Sequence, residues 1–120
     1  MSYLSRQLVR ERLRLGERQS YRIVGASYTS LIDGAELLDI VNAARRGIRE
    51  PLTDVPSDLL TPEEMADELG GCVTERKLMS WTRRSKNVPP HFRFNKQTTR
   101  FSSSRLMDWI RANSKMRMTA

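Results

Sequence analysis

Between residues 3 and 15 (YLSRQLVRERLRL), Leu4, Leu8 and Leu15 recur at helical spacing with Val9 and Leu13 close by, while Arg6, Arg10, Arg12 and Arg14 fill the other side. The pattern predicts an amphipathic basic helix stopped by Gly16. YRIVGASY is β-branched and aromatic, which predicts a short strand. Asp33 followed three residues later by Glu36 has the form of a capping box. It opens a helix through AELLDIVNAARR, with Leu37, Leu38, Val41 and Ala44 on one face and Gly47 as the C-terminal stop. Pro51 and Pro56, among Thr53, Asp54, Ser57 and Asp58, then break the periodicity. They divide the chain near residue 57 into an N-terminal helical module, 1–56, and a second unit, 57–120.

The second unit starts on LLTPEEMADELGG. Thr61 precedes Pro62 and Glu64 follows three residues on, so the hydroxyl can accept from the Glu64 amide while the carboxylate reaches back. Met65, Ala66 and Leu69 make the buried stripe, and Gly70 with Gly71 ends the helix in a turn. Thr74 then caps a second helix, ERKLMSWTRR, with Leu78 and Trp81 inward and Arg76, Lys77, Ser80, Arg83 and Arg84 outward. Helix, glycine turn and basic helix follow in the helix-turn-helix order. Pro89 and Pro90 forbid further helix, and HFRF and TTRF predict a hairpin around Asn95, Lys96 and Gln97. A capped helix over SSSRLMDWIRAN faces the core through Leu106, Trp109 and Ile110, and the last seven residues are expected to fray. The fold class expected is mainly α with a small β-hairpin wing, a winged helix-turn-helix behind a helical N-terminal module.

Charge sharpens the division. The 120 residues carry 21 Lys and Arg against 14 Asp and Glu, a net +7, with 38% hydrophobic and 29% charged residues. Resolved along the chain, residues 51–75 hold seven acids and no Lys or Arg, whereas 76–120 hold twelve basic residues against Asp108 alone. Such segregation suits a protein that turns one face to a polyanion. No apolar run is long enough for a membrane span or a signal peptide, so a cytoplasmic, nucleoid-associated protein is expected. One cysteine, Cys72, and one histidine, His91, cannot supply a zinc finger, and neither a metal nor a cofactor is expected. There is no phosphate-cradling glycine loop, no nucleophile beside a histidine and no carboxylate cluster beside a histidine ligand, which argues against an enzyme.

LLTPEEMADELG, VTERKLMSW, PPHFRF with TTRF, and SSSRLMDWI together resemble the excisionase and MerR-like winged helix-turn-helix domains, including the short AlpA-type regulators of phage and integrative elements. The match covers about residues 59 to 111, in the family's order of first helix, recognition helix, wing and closing helix. Two features depart from the family: the turn LGGCV is longer, and the wing tip NKQ lacks a glycine. A MerR-type activator continues into a long dimerising coil, which is not expected here.

The resemblance implies a sequence-specific double-stranded DNA-binding protein, either a transcriptional regulator or a recombination directionality factor, with an integrase or RNA polymerase as protein partner. Its recognition helix would lie in the major groove. Arg76 and Lys77 are placed to reach guanine O6 and N7, with Thr74, Ser80 and Thr82 as secondary candidates. Arg83, Arg84 and Lys86 would meet phosphates, and Arg93, Lys96, Gln97 and Arg100 of the wing would follow the adjacent backbone. One such domain buries limited surface, so a homodimer or cooperative multimer is expected, with Leu4, Leu8, Leu37 and Val41 in a shared apolar interface. Two readings from other classes remain open: a phage DNA-packaging component resembling a small terminase subunit, and a winged-helix adaptor that binds protein. Several residues have plainer uses. Arg6, Arg10, Arg12 and Arg14 read first as a solvated helix face. Trp81, Trp109 and the phenylalanines read as core, His91 as wing surface, and Cys72 as an incidental turn residue.

Overall fold

The computed structural model describes residues 3–24 and 31–118. Its elements run β1 (Tyr3–Ser5), α1 (Arg6–Leu13), α2 (Glu17–Val24), β2 (Leu31–Asp33), α3 (Gly34–Ala44), β3 (Arg45–Arg46), β4 (Leu59–Leu60), α4 (Pro62–Glu68), α5 (Glu75–Trp81), β5 (His91–Asn95), β6 (Thr98–Ser102) and α6 (Ser103–Met118). The chain is mainly helical with small antiparallel sheets, β1–β2 and the four-stranded β3–β5–β6–β4. Among the described residues no helix is long and apolar enough to cross a membrane.

In the N-terminal half, Leu4 lies in β1, not in the first helix, because Ser5 takes the N-cap and its Oγ accepts from the Leu8 amide at 3.1 Å. The helix ends not at Gly16 but at Arg14, which adopts a left-handed φ of 55°. YRIV, expected as strand, is the second half of α2. Helix-forming Glu17, Arg18 and Gln19 lead it, and buried Ser20 donates to the Glu17 carbonyl at 2.7 Å. The remainder of that predicted strand, residues 25–28, lies outside the described residues. Asp33 caps α3 through the Ala35 amide at 3.0 Å, not through Glu36. That helix stops at Ala44, and the two arginines expected at its end are extended as β3. Gly47 follows them at φ +70°.

The C-terminal half keeps closer to its pattern. Thr61 and Glu64 form the full reciprocal box, at 3.1 and 3.0 Å, with Pro62 at the first turn. Gly70 and Gly71, both at positive φ, make the open turn into α5, which Thr74 caps. HFRF and TTRF pair as the expected antiparallel hairpin, with an irregularity between Arg93 and Asn95. The last helix spans Ser103–Met118. Its cap comes from Asp58, more than forty residues earlier. The Asp58 carbonyl accepts from the Ser103 amide at 3.1 Å, and its carboxylate accepts from the Ser104 amide at 2.8 Å and the Ser104 hydroxyl at 2.6 Å.

The sheet divides the interior in two. Leu59, paired with Ser102, and Phe92, paired with Arg100, point to one face and join Val9, Leu13, Leu15, Ile32, Leu37, Val41 and Ala44. Leu60, paired with Phe101, points to the other face, where Phe101 packs with Met65, Leu78 and Leu106. The first core therefore draws on both sides of residue 57, and β3 pairs across it with β5. Leu37 and Val41, expected in a dimer interface, are 0% exposed inside this core, and Leu4 and Leu8 are half-buried. A residue with no accessible surface cannot meet a second chain.

Candidate nucleic-acid interface

Helix α5 has seven residues, about 10 Å at 1.5 Å per residue. Thr74 is exposed but its hydroxyl is committed to the Lys77 amide at 3.1 Å. The Ser80 hydroxyl donates to the Lys77 carbonyl and the Thr82 hydroxyl to the Met79 carbonyl, each at 2.7 Å. Local bonds thus engage the short side chains, and the long donors Arg76 and Lys77 stand exposed on the first turn. The helix ends at Trp81, so Arg83 and Arg84, expected on it, lie in the turn beyond, with exposed Lys86 next. The Arg84 guanidinium rests 5.9 Å from the centre of the Trp109 ring. Half-buried Trp109 itself tilts against Trp81 at 5.4 Å and donates to Asn87 Oδ1 at 3.3 Å. Those contacts fix where Arg84 leaves the surface.

On the hairpin, Arg93, Lys96 and Gln97 are exposed. The tip needs no glycine because Asn95 Oδ1 accepts from the Gln97 amide at 2.9 Å. Arg100, expected to follow the nucleic-acid backbone with the wing, is instead buried. It is 5% exposed, and its Nε donates to the Leu13 carbonyl at 2.9 Å, Nη2 to Arg14 at 2.6 Å and Nη1 to Thr99 at 2.7 Å. A cation spent on the last carbonyls of α1 is a structural tie, not a nucleic-acid contact.

His91, expected on the wing surface, is 2% exposed and faces Phe101 at 6.2 Å. Its Nδ1 lies 2.8 Å from the Pro89 carbonyl. A carbonyl only accepts, so Nδ1 carries the proton and Nε2 is the open nitrogen of the neutral ring. Burial pushes the imidazole below its ordinary pKa. The Pro89 bond opposes that, and the nearby Arg46 and Arg93 charges add to it.

Arg46 is the cation missed by the sequence pattern. It stands opposite His91 in the β3–β5 register and is exposed, with Nη1 bonded to the Ala43 and Arg45 carbonyls, whereas its neighbour Arg45 is half-buried and bonded to the Asn42 and Ile48 carbonyls. A tandem arginine after a helix carries no local sign that it will pair with a distant hairpin strand.

No protein-family model, curated protein or solved structure matches this chain. Several exposed cations follow one another along the chain from α5 through its following turn to the hairpin. Among the described residues the ion pairs are Arg14–Glu64 and Arg111–Asp108. Arg76, Lys77, Arg83, Arg84, Lys86, Arg93 and Lys96 are all exposed and in neither. Uncompensated cations in one run attract a polyanion in preference to a small ion, since each bound phosphate returns counterions to solution.

Proposed function

We propose that this chain is a sequence-specific double-stranded DNA-binding protein in which β4, α4, α5, the β5–β6 hairpin and α6 act as a winged helix-turn-helix. The exposed and unpaired cations of α5, its following turn and the hairpin support this reading more than any other observation. Helix α5 enters the major groove, Arg76 and Lys77 read base edges, and Arg83, Arg84, Lys86, Arg93 and Lys96 hold phosphates. The role is that of a transcriptional regulator or a factor that bends DNA for a recombinase.

A salt titration of DNA affinity tests it. With about six phosphates neutralised, log K falls against log salt with a slope of roughly −5. A slope near zero rejects DNA as the partner. Arg76→Ala is expected to weaken the preferred site by about 1–3 kcal/mol and to relax specificity at one base pair, read by competition against single-base variants.

A further inference from the structure

A cleft of about 250 Å³ opens at the sheet edge, lined by Arg46, Gly47, Thr82, Arg84, Val88, His91 and Arg93. Period-two geometry explains its composition. Arg46 and His91 are directly opposed across β3 and β5, and Arg93 is two residues beyond His91, so the three share one face of the sheet. The turn after α5 brings Thr82 and Arg84 against that face.

Gly47 closes the back of the cleft. A Cβ there would stand 2.6 Å from the Val88 carbonyl oxygen and 2.7 Å from that of Pro89, so only glycine lets the two backbones meet. No lining residue is acidic. Two of the three guanidiniums are held in place. Arg46 Nη1 donates to the Ala43 and Arg45 carbonyls at 3.0 and 2.8 Å, and Arg84 lies over Trp109. Arg46, Arg84 and Arg93 line one concave site whose lining holds no carboxylate, so an anion that enters it offsets their like charge. Their planar donor forks match the oxygens of a phosphate.

We propose that this cleft is a phosphate clamp that seats one backbone phosphate of bound DNA, with Arg46 supplied by the N-terminal half of the chain. It rests on the DNA-binding reading and extends it, because the first half then contributes a phosphate ligand as well as a core. The clamp holds one phosphate at the junction of the α5 turn and the hairpin, which fixes the register of α5 in the groove without reading sequence.

His91 makes the site observable, since it is the chain's one histidine and its ring resonances need no assignment. The groups around it are Arg46 of β3, Arg93 of β5, Arg84 and Thr82 beyond α5, the Pro89 carbonyl and the Phe101 ring. An anion among them offsets the arginine charges, so the imidazole takes up a proton more readily.

The experiment uses the full chain, its Arg46→Ala, Arg46→Lys and Arg93→Ala variants, and duplexes of unrelated sequence. Arg46→Ala and Arg93→Ala should each make the salt slope shallower by about one and weaken every duplex equally, while Arg46→Lys keeps the wild-type slope. Arg93→Ala keeps the test valid if Arg46→Ala also loosens the end of α3. Duplex binding should move the His91 titration midpoint upward by about one unit in the wild type and less in Arg46→Ala. Wild-type binding with slopes unchanged in both alanine variants, or a His91 midpoint that DNA leaves unmoved, overturns the clamp and leaves the DNA-binding reading intact. If the wild type shows no salt-dependent DNA binding, that reading fails, and inorganic phosphate alone decides the cleft. A midpoint raised by phosphate in the wild type but not in Arg46→Ala keeps it as a phosphate site, and no movement removes it.

Discussion

Arg93 and Arg100 belong to paired strands of one hairpin and share a residue type, yet they lie on opposite faces of the sheet and have opposite fates. Arg100 sits beside Phe92 on the face that α1–α3 cover, where its guanidinium closes the C-terminal carbonyls of α1. Arg93 sits with His91 and Arg46 on the other face, at an edge that the α4–α6 side leaves open. Placement, not residue chemistry, makes one arginine a buried tie and the other a free cation. Covered on both sides, β6 is buried along its whole length, Arg100 included. Charge count alone therefore overstates an interface, and register corrects it.

The contrast can be broken most strongly at Arg100. Arg100→Met keeps the volume but strands the Leu13 and Arg14 carbonyls and removes the counter-charge at the α1 terminus. A loss of about 3–5 kcal/mol in urea denaturation is expected. Gly47→Ala comes next, at about 2–4 kcal/mol, because a left-handed φ and contact with the Val88 and Pro89 backbone act together. Thermal melts of the two variants should keep that order.

Asp58 tests whether the two halves of the sheet depend on one cap. Burial pushes its carboxyl up, but hydrogen bonds from the Ser104 hydroxyl and amide and the Ser102 hydroxyl outweigh this and hold it below its ordinary value of 3.8. A depressed native value means the stabilisation is complete above the unfolded value and is lost as pH falls through the native one. Asp58→Ala should cost about 1–2 kcal/mol at neutral pH. The deficit against wild type should shrink as the pH drops below about 4, which a pH series of denaturation curves reads directly.

The smallest effect sharpens the comparison from the other side. Arg93→Met, the same substitution as at Arg100, is expected to leave stability within about 0.5 kcal/mol, because an exposed cation without a carboxylate partner holds nothing in the fold. Equal losses at Arg93 and Arg100 would refute the assignment of the two faces.

How far the pattern could be read follows from the range of each interaction. The Thr61–Glu64 box, the Thr74 cap, the Gly70–Gly71 turn and the hairpin ends were legible because each is settled within about four residues. The α2 helix was not, since YRIV looks extended in isolation and only its leading Glu17–Ser20 and its packing make it helical. Strands β3 and β4, two residues each, fall below the length at which alternation can be seen. Of the candidate interface, the cations of α5 and the hairpin tip were found on spacing. Arg100 was misplaced and Arg46 missed, because both depend on contacts across the sheet.

By itself, then, the sequence determined the caps, turns and hairpin, the acidic stretch over 51–75 and the basic one that follows. These follow from backbone geometry and charge close along the chain. Tertiary structure alone decided that the first core borrows Leu59 and Phe92, that Asp58 caps a helix beginning at Ser103, and that Arg46, Arg84, His91 and Arg93 meet in one cleft. Those outcomes turn on strand register, and a shift of one residue would exchange the inward and outward sets while leaving every local pattern unchanged.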